Sequence, residues 1–285
     1  MKYNTFEEYF SLPRLQKFIN HYSGDKIRAL LLYKANLRLS QAFYPLLSIL
    51  EISLRNAIDL HFAVVFSDQD WLMNQTTGFM SDPSLGYSSN PFLLRENIKR
   101  IKIKLGYSLT QGKLISELTF GSWTEFFEKK HYRVLKGGAI KIFPNLPSHI
   151  KRNNVYDKLN RIRYFRNRVY HYEPICFNDG NFELTRTENI YKEILEILDW
   201  FDKDLVEWIT PIDFVQYEIS RIKFIESKKF FSIFMLRLKY IFAKIFYLFR
   251  QKANKLNIIF SCIIKHLGII MYDLVFNFMD CRKKI

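Results

Sequence analysis

Residues Leu159 to Ile175 read "LNRIRYFRNRVYHYEPI", and the spacing of their apolar side chains decides the fold class. Counted from one turn earlier, Val155, Leu159, Ile162, Phe165 and Val169 recur every three or four residues. At 100° per residue they fall on one side of a helix. Arg163, Asn167 and His171 follow each other four apart and form a polar stripe on another side. Glu173-Pro174 then stops the helix, because proline lacks the N–H and drives the residue before it out of helical geometry.

The same period runs upstream and downstream. "KIRALLLYKANLRLSQAFYPLLSILEISLRNAIDLHFAVVF", residues 26–66, is a long apolar-periodic segment that Pro45 is expected to kink or split. Thr5-x-x-Glu8 reads as a capping box before it. Residues 74–91 are a loop by composition, and Asn90-Pro91 resembles an N-cap and first helical position. "GKLISELTFGSWTEFFEKKHY" reads as two short helices broken at Gly121, with Phe120 and Trp123 as core anchors. Ser148 is placed to cap the helix of the opening stretch, and Thr185-x-x-Glu188 to start another that ends before Pro211. No strand alternation or internal repeat is visible. The chain has 10 Gly and 8 Pro among 285 residues, too few for a turn-rich sandwich or barrel. The expectation is an all-α bundle.

Charge divides the chain in two. Residues 221–285 hold 14 Lys/Arg against 3 Asp/Glu, whereas residues 1–220 hold 29 against 25. A body at 1–220 and a basic helical tail at 221–285 are therefore expected. The favoured reading packs the tail on the body with its basic edge outward. The other reading gives it peripheral contact with RNA or an anionic membrane face. Lys265, His266 and Asp273 interrupt its longest apolar run, which argues against a span. Cys176, Cys262 and Cys281 form neither a metal-ligand spacing nor an even-numbered framework. With no signal-peptide core at the N-terminus, this suits a reducing cytoplasm, or the periphery of the inner membrane if the tail binds lipid.

Three Arg-x(4–6)-His pairs occur: Arg14/His21, Arg55/His61 and Arg166/His171. Roughly one such pair is expected by chance. Two of the three carry Asn directly after the arginine, as "RNAIDLH" and "RNRVYH"; Arg14/His21 does not and reads as background. On a regular helix Arg166 lies about 140° from His171. The two could meet at one atom if the helix unwinds near Glu173-Pro174, or if a second copy packs about a two-fold axis. Glu51, Arg55 and Asp59 form a further i, i+4, i+8 series. It is open to two readings: an ion-pair ladder, or a Glu51 that orients Arg55 while Arg55 and Asn56 line the cleft of Arg166. His61 points about 120° away from Arg55 and is not expected to act.

"LRLSQAFYPLLSILEISLRNAIDLHF", "SELTFGSW" and "LNRIRYFRNRVYHYEPI", in that order over roughly residues 10–210, resemble the Abi-like (abortive infection, Abi_2-type) family of bacterial phage-defence proteins, which is related to the HEPN group. The resemblance implies a HEPN-like helical bundle with additional helices, a homodimer, and an RNA partner. The implied activity is metal-independent RNA cleavage through Arg-x(4–6)-His. Carried onto this chain, Arg166, Asn167 and His171 are the catalytic candidates. Glu51, Arg55, Asn56, Arg163 and Tyr170 are the substrate-binding candidates. Residue chemistry agrees. Histidine titrates near neutral pH and can move the proton of an RNA 2′-hydroxyl. Arginine can grip two phosphate oxygens at once. Asparagine can donate to phosphate or orient the imidazole. Tyr170 can stack on a base. No cofactor or metal is expected, since no metal-ligand motif occurs. A binding module that grips RNA without cutting it, or a membrane-associated effector working through the tail, are the alternatives. Neither an antitoxin nor a phage trigger can be named.

Overall fold

The computed structural model describes residues 8–87, 89–227 and 236–246. The capping box at Thr5 and most of the tail lie outside these residues. The helices, in chain order, are α1 (Leu12–His21), α2 (Lys26–Phe66), α3 (Trp71–Asn74), α4 (Leu93–Leu105), α5 (Gln111–Glu117) and α6 (Phe120–Thr124). They continue with α7 (Lys129–Val134), α8 (Arg152–Tyr170), α9 (Thr185–Phe201), α10 (Lys203–Ile209) and α11 (Val215–Glu226). Among the described residues the fold is all-α apart from one hairpin, β1 (Phe177–Asn178) and β2 (Asn181–Phe182).

Pro45 neither splits α2 nor shortens it; 41 residues run through as one helix, about 61 Å long. A proline inside a helix costs ~3 kcal/mol, through one lost hydrogen bond and a clash with the carbonyl four residues back. Phe43, Leu46, Leu47 and Leu50 around it are all buried. At ~1.5–3 kcal/mol per side chain, burying that face outweighs the defect.

The chain forms two compact units. One comprises Met1–Leu39, Phe177–Phe182 and Gln216–Ile285; the other comprises Ser40–Cys176 and Glu183–Val215. In the first, Leu15, Phe18, Tyr33, Phe177, Ile219, Ile222 and Ile225 are buried, with Phe18 edge-on to both Tyr33 and Phe177. His21, the background histidine, has structural partners here. Its Nε2 meets Glu226 Oε2 at 2.9 Å, and its ring stacks on Phe182. Tyr22 donates to the other Glu226 oxygen. The hairpin turns on Asp179 and Gly180, both at positive φ. Such a pair forms the tight turn whose twist matches antiparallel strands.

In the second unit, Trp71, Trp123, Trp200, Phe62, Phe126, Phe127 and Phe165 are fully buried. The buried side of α8 is Val155, Leu159, Ile162, Phe165 and Val169, as its period predicts. Phe120 and Trp123 are buried, as expected. Gly121, however, lies inside α6; the break falls at Leu118-Thr119. Three further boundaries shift. α4 begins at Leu93, behind a left-handed Phe92 that lies under the Arg95 guanidinium, because Leu94 and Ile98 are what the core takes. α8 begins at Arg152 rather than after Ser148, because the Asn154 side chain accepts from the Lys151 N–H. The helix from Thr185 stops at Phe201, where extended Asp202 caps α10 through the Asp204 N–H.

Of the tail, residues 236–246 are helical and none is buried. Ile222 and Ile225, at the start of the tail, are buried, whereas Leu236, Tyr240, Phe242 and Phe246 are each more than half exposed. Among the described residues no helix is long and apolar enough to cross a membrane.

Candidate functional site

The site is built on α8, which packs against α6 and α9. Its apolar side faces the core; Asn167 and His171 are exposed, and Arg163 is half-buried. The end of the helix is a six-residue closure. The His171 N–H bonds the Asn167 carbonyl at 2.8 Å, Tyr172 N–H the Val169 carbonyl at 3.1 Å, and Glu173 N–H the Arg168 carbonyl at 2.8 Å. This pattern needs a left-handed residue just past the helix, normally glycine. Tyr172 fills the position at φ 59. Arg168 secures the turn from behind, donating to the Pro174 carbonyl and pairing with Glu173 at 3.5 Å. The helix thus ends before Glu173-Pro174, at His171, whose ψ of 9 is already outside it. Its ring is exposed, and no described side chain bonds to it.

A left-handed tyrosine costs about 1–2 kcal/mol relative to a relaxed backbone. Tyr172→Gly is therefore expected to raise stability by about 0.5–1 kcal/mol, read as a higher denaturation midpoint at an unchanged slope. A lower midpoint would show that the tyrosine ring contributes more than its backbone strain costs.

Arg166 is anchored at two points. Its Nε donates to Glu51 Oε2 at 3.0 Å, and its Cζ lies 4.4 Å from the Tyr170 ring centre. Tyr170 in turn leans on Tyr44, with centroids 6.2 Å apart. Burial pushes the Tyr170 phenol up, against the opposing pull of Arg166, so it stays a neutral donor at physiological pH. A guanidinium has five N–H groups. With Nε committed to Glu51, the Nη1/Nη2 edge is left to meet a phosphate bidentately.

The Glu51, Arg55, Asp59 series is not a ladder. Glu51 turns to Arg166. Asp59 accepts from Trp71 Nε1 at 2.9 Å and Gln111 Nε2 at 3.0 Å. Arg55 lies one turn beyond Glu51 on the same helix face. It forms no ion pair with a described residue, and its Nε is buried without a hydrogen-bond partner. Asn56 is exposed. No hydrogen bond or ion pair joins Arg55 or Asn56 to Arg166, nor Arg166 to His171, among the described residues. His61 is half-buried with its Nε2 unbonded; burial first, then Lys141, holds its pKa below the usual value.

Arg163 is the third arginine. Its Nη1 is 3.9 Å from Glu125 Oε1, and its Cζ lies 5.0 Å from the Tyr164 ring centre. A side chain at Gly121 would stand 3.4 Å from the Arg163 Cδ and Nη1. That is ordinary van der Waals distance, so the glycine is required neither by a bend nor by a steric limit. Sequence reasoning missed Tyr44, Glu125 and Arg168. Tyr44 was within reach, because Tyr44, Glu51 and Arg55 are seven and eleven residues apart and share one face of α2. Glu125 and Arg168 carry no periodic signal.

Comparison of the chain with family models, curated proteins and solved structures finds no match.

Proposed function

We propose that this protein is a HEPN-like, Abi-type ribonuclease that cuts RNA without metal as an abortive-infection effector. The observation that carries this reading is the pairing of a fixed cation with a freed imidazole at one helix end. Arg166 is clamped by Glu51 and Tyr170, while His171 leaves the helix and faces solvent. In the proposed reaction His171 takes the proton of an RNA 2′-hydroxyl. That oxygen attacks phosphorus, and the bond from phosphorus to the 5′-oxygen breaks. Arg166 holds the charge that develops on the phosphoryl oxygens, and Asn167, one turn before His171, donates to the same group. A second copy of the chain supplies the acid that protonates the departing 5′-oxygen. The uncharged exposed series Ile52, Asn56, Leu60 and Val64 on α2 supports self-association. Exposed Tyr44, Tyr164 and Tyr170 supply faces for unpaired bases. The reading places the protein in the cytoplasm, with RNA as its partner.

The test is cleavage of single-stranded RNA in EDTA. The expected products carry 2′,3′-cyclic phosphate and 5′-hydroxyl ends, and a 2′-deoxy sugar at the scissile position blocks the cut. A requirement for Mg²⁺, or equal cutting of the deoxy substrate, defeats the mechanism. Tight RNA binding with no cleavage assigns the protein to the binding modules.

A further inference from the structure

Two arginines three residues apart on α8 are each backed by a carboxylate, and the two pairs differ. Arg166 makes a true hydrogen bond to Glu51 at 3.0 Å. Arg163 approaches Glu125 only to 3.9 Å, beyond hydrogen-bonding distance. Its Nε is buried with no hydrogen-bond partner, and its Nη2 reaches the Tyr164 hydroxyl only at 3.4 Å. Glu125 is itself poorly satisfied. Its other oxygen lies 3.9 Å from Nδ1 of His131, a buried ring with neither nitrogen hydrogen-bonded. Resting on the RNA reading above, we propose that Glu125 is a positioning residue that parks Arg163 beside the Asn167–His171 stripe and releases it to a backbone phosphate. Substrate RNA is then gripped at two neighbouring phosphates, by a fixed Arg166 and a released Arg163.

The electrostatics support the release. Burial holds the Glu125 carboxyl above the usual carboxylate range, outweighing the pull of Arg163, and Glu128 adds to the rise. The charged groups facing it are Arg163 from α8 and His131 and Glu128 from α7 and its cap. Burial also lowers the His131 pKa, so that ring is neutral at physiological pH and does not compete for the carboxylate. A carboxyl whose pKa is raised by folding is a source of stability only at low pH. That stability is present below the ordinary carboxylate pKa and is lost as pH rises through the raised one. Glu125→Gln is therefore expected to melt higher than the unaltered protein at pH 7, with the gap closing on acidification.

The test is binding of oligouridylate in a His171→Ala background, which removes both cleavage and the titration of that ring. Adding Glu125→Gln is expected to tighten binding severalfold at pH 7, because Arg163 no longer has to leave a carboxylate, while the log–log salt slope stays the same because the same phosphates are contacted. Affinity should rise on acidification with Glu125 present and lose that rise in Glu125→Gln. Adding Arg163→Ala to Glu125→Gln should cancel the gain. An unchanged or weaker affinity in a folded Glu125→Gln protein overturns the inference alone. Absence of binding in every form overturns the RNA reading with it. If Glu125→Gln does not fold, Arg163→Ala decides: the salt slope should flatten by about 0.7, and an unaltered slope refutes the role.

Discussion

His171→Ala is expected to lower RNA cleavage by about 10²–10⁴-fold, the usual worth of a positioned general acid or base. Its melting temperature should hardly move. The ring is exposed and bonds to no described side chain, and surface substitutions of that kind stay within about 0.5 kcal/mol. The combination is diagnostic, since a structural histidine loses activity and stability together. Arg166→Ala should lose cleavage to a similar extent but also some stability, because it leaves the half-buried Glu51 without its donor. Arg166→Lys should fail as well. An ammonium can satisfy Glu51 or the phosphate, but it has no second edge with which to do both. If His171→Ala cleaves at the normal rate, the helix end is not the reacting centre.

The largest loss of stability is expected from Phe165→Ala. Phe165 is fully buried, and its ring meets Phe43 of α2 with centroids 4.7 Å apart. Emptying a phenylalanine site costs about 3–5 kcal/mol. Domain stabilities run to only about 5–15 kcal/mol. Equilibrium denaturation should therefore show a large drop in midpoint, and cleavage should fall with the folded fraction. Tyr164→Ala, one residue earlier and exposed, should leave the midpoint nearly unchanged. A loss under about 1 kcal/mol in Phe165→Ala would mean that α8 is not packed on α2 through this ring.

What the sequence foretold follows from where each signal resides. The buried side of α8 was legible residue by residue, because periodicity and burial are the same fact seen twice. Helix starts were less legible. Ser148 offered a plausible cap, but the asparagine at 154 reaches back to the Lys151 N–H and fixes the start there. The hairpin was overlooked although Asp179-Gly180 is a strong turn signal; two-residue strands leave no alternation to notice. In the site, the Asn-flanked arginine pointed to Arg166, but its partner was hidden. Glu51 precedes it by 115 positions, and local spacing had coupled Glu51 to Arg55 instead. Pair choice across elements depends on how helices cross, which no single helix records.

The division of the chain has a consequence for how the protein is made. The unit that holds Arg166 and His171 is complete once Val215 has been synthesised. The other unit is not. Its α1 must wait for α11, as His21 waits for Glu226 across 205 positions. Contacts of such sequence separation form slowly, because a long loop must be closed before it is rewarded. On the ribosome the order of assembly therefore inverts the order of the sequence: the unit begun first is finished last, after the site-bearing unit has already set.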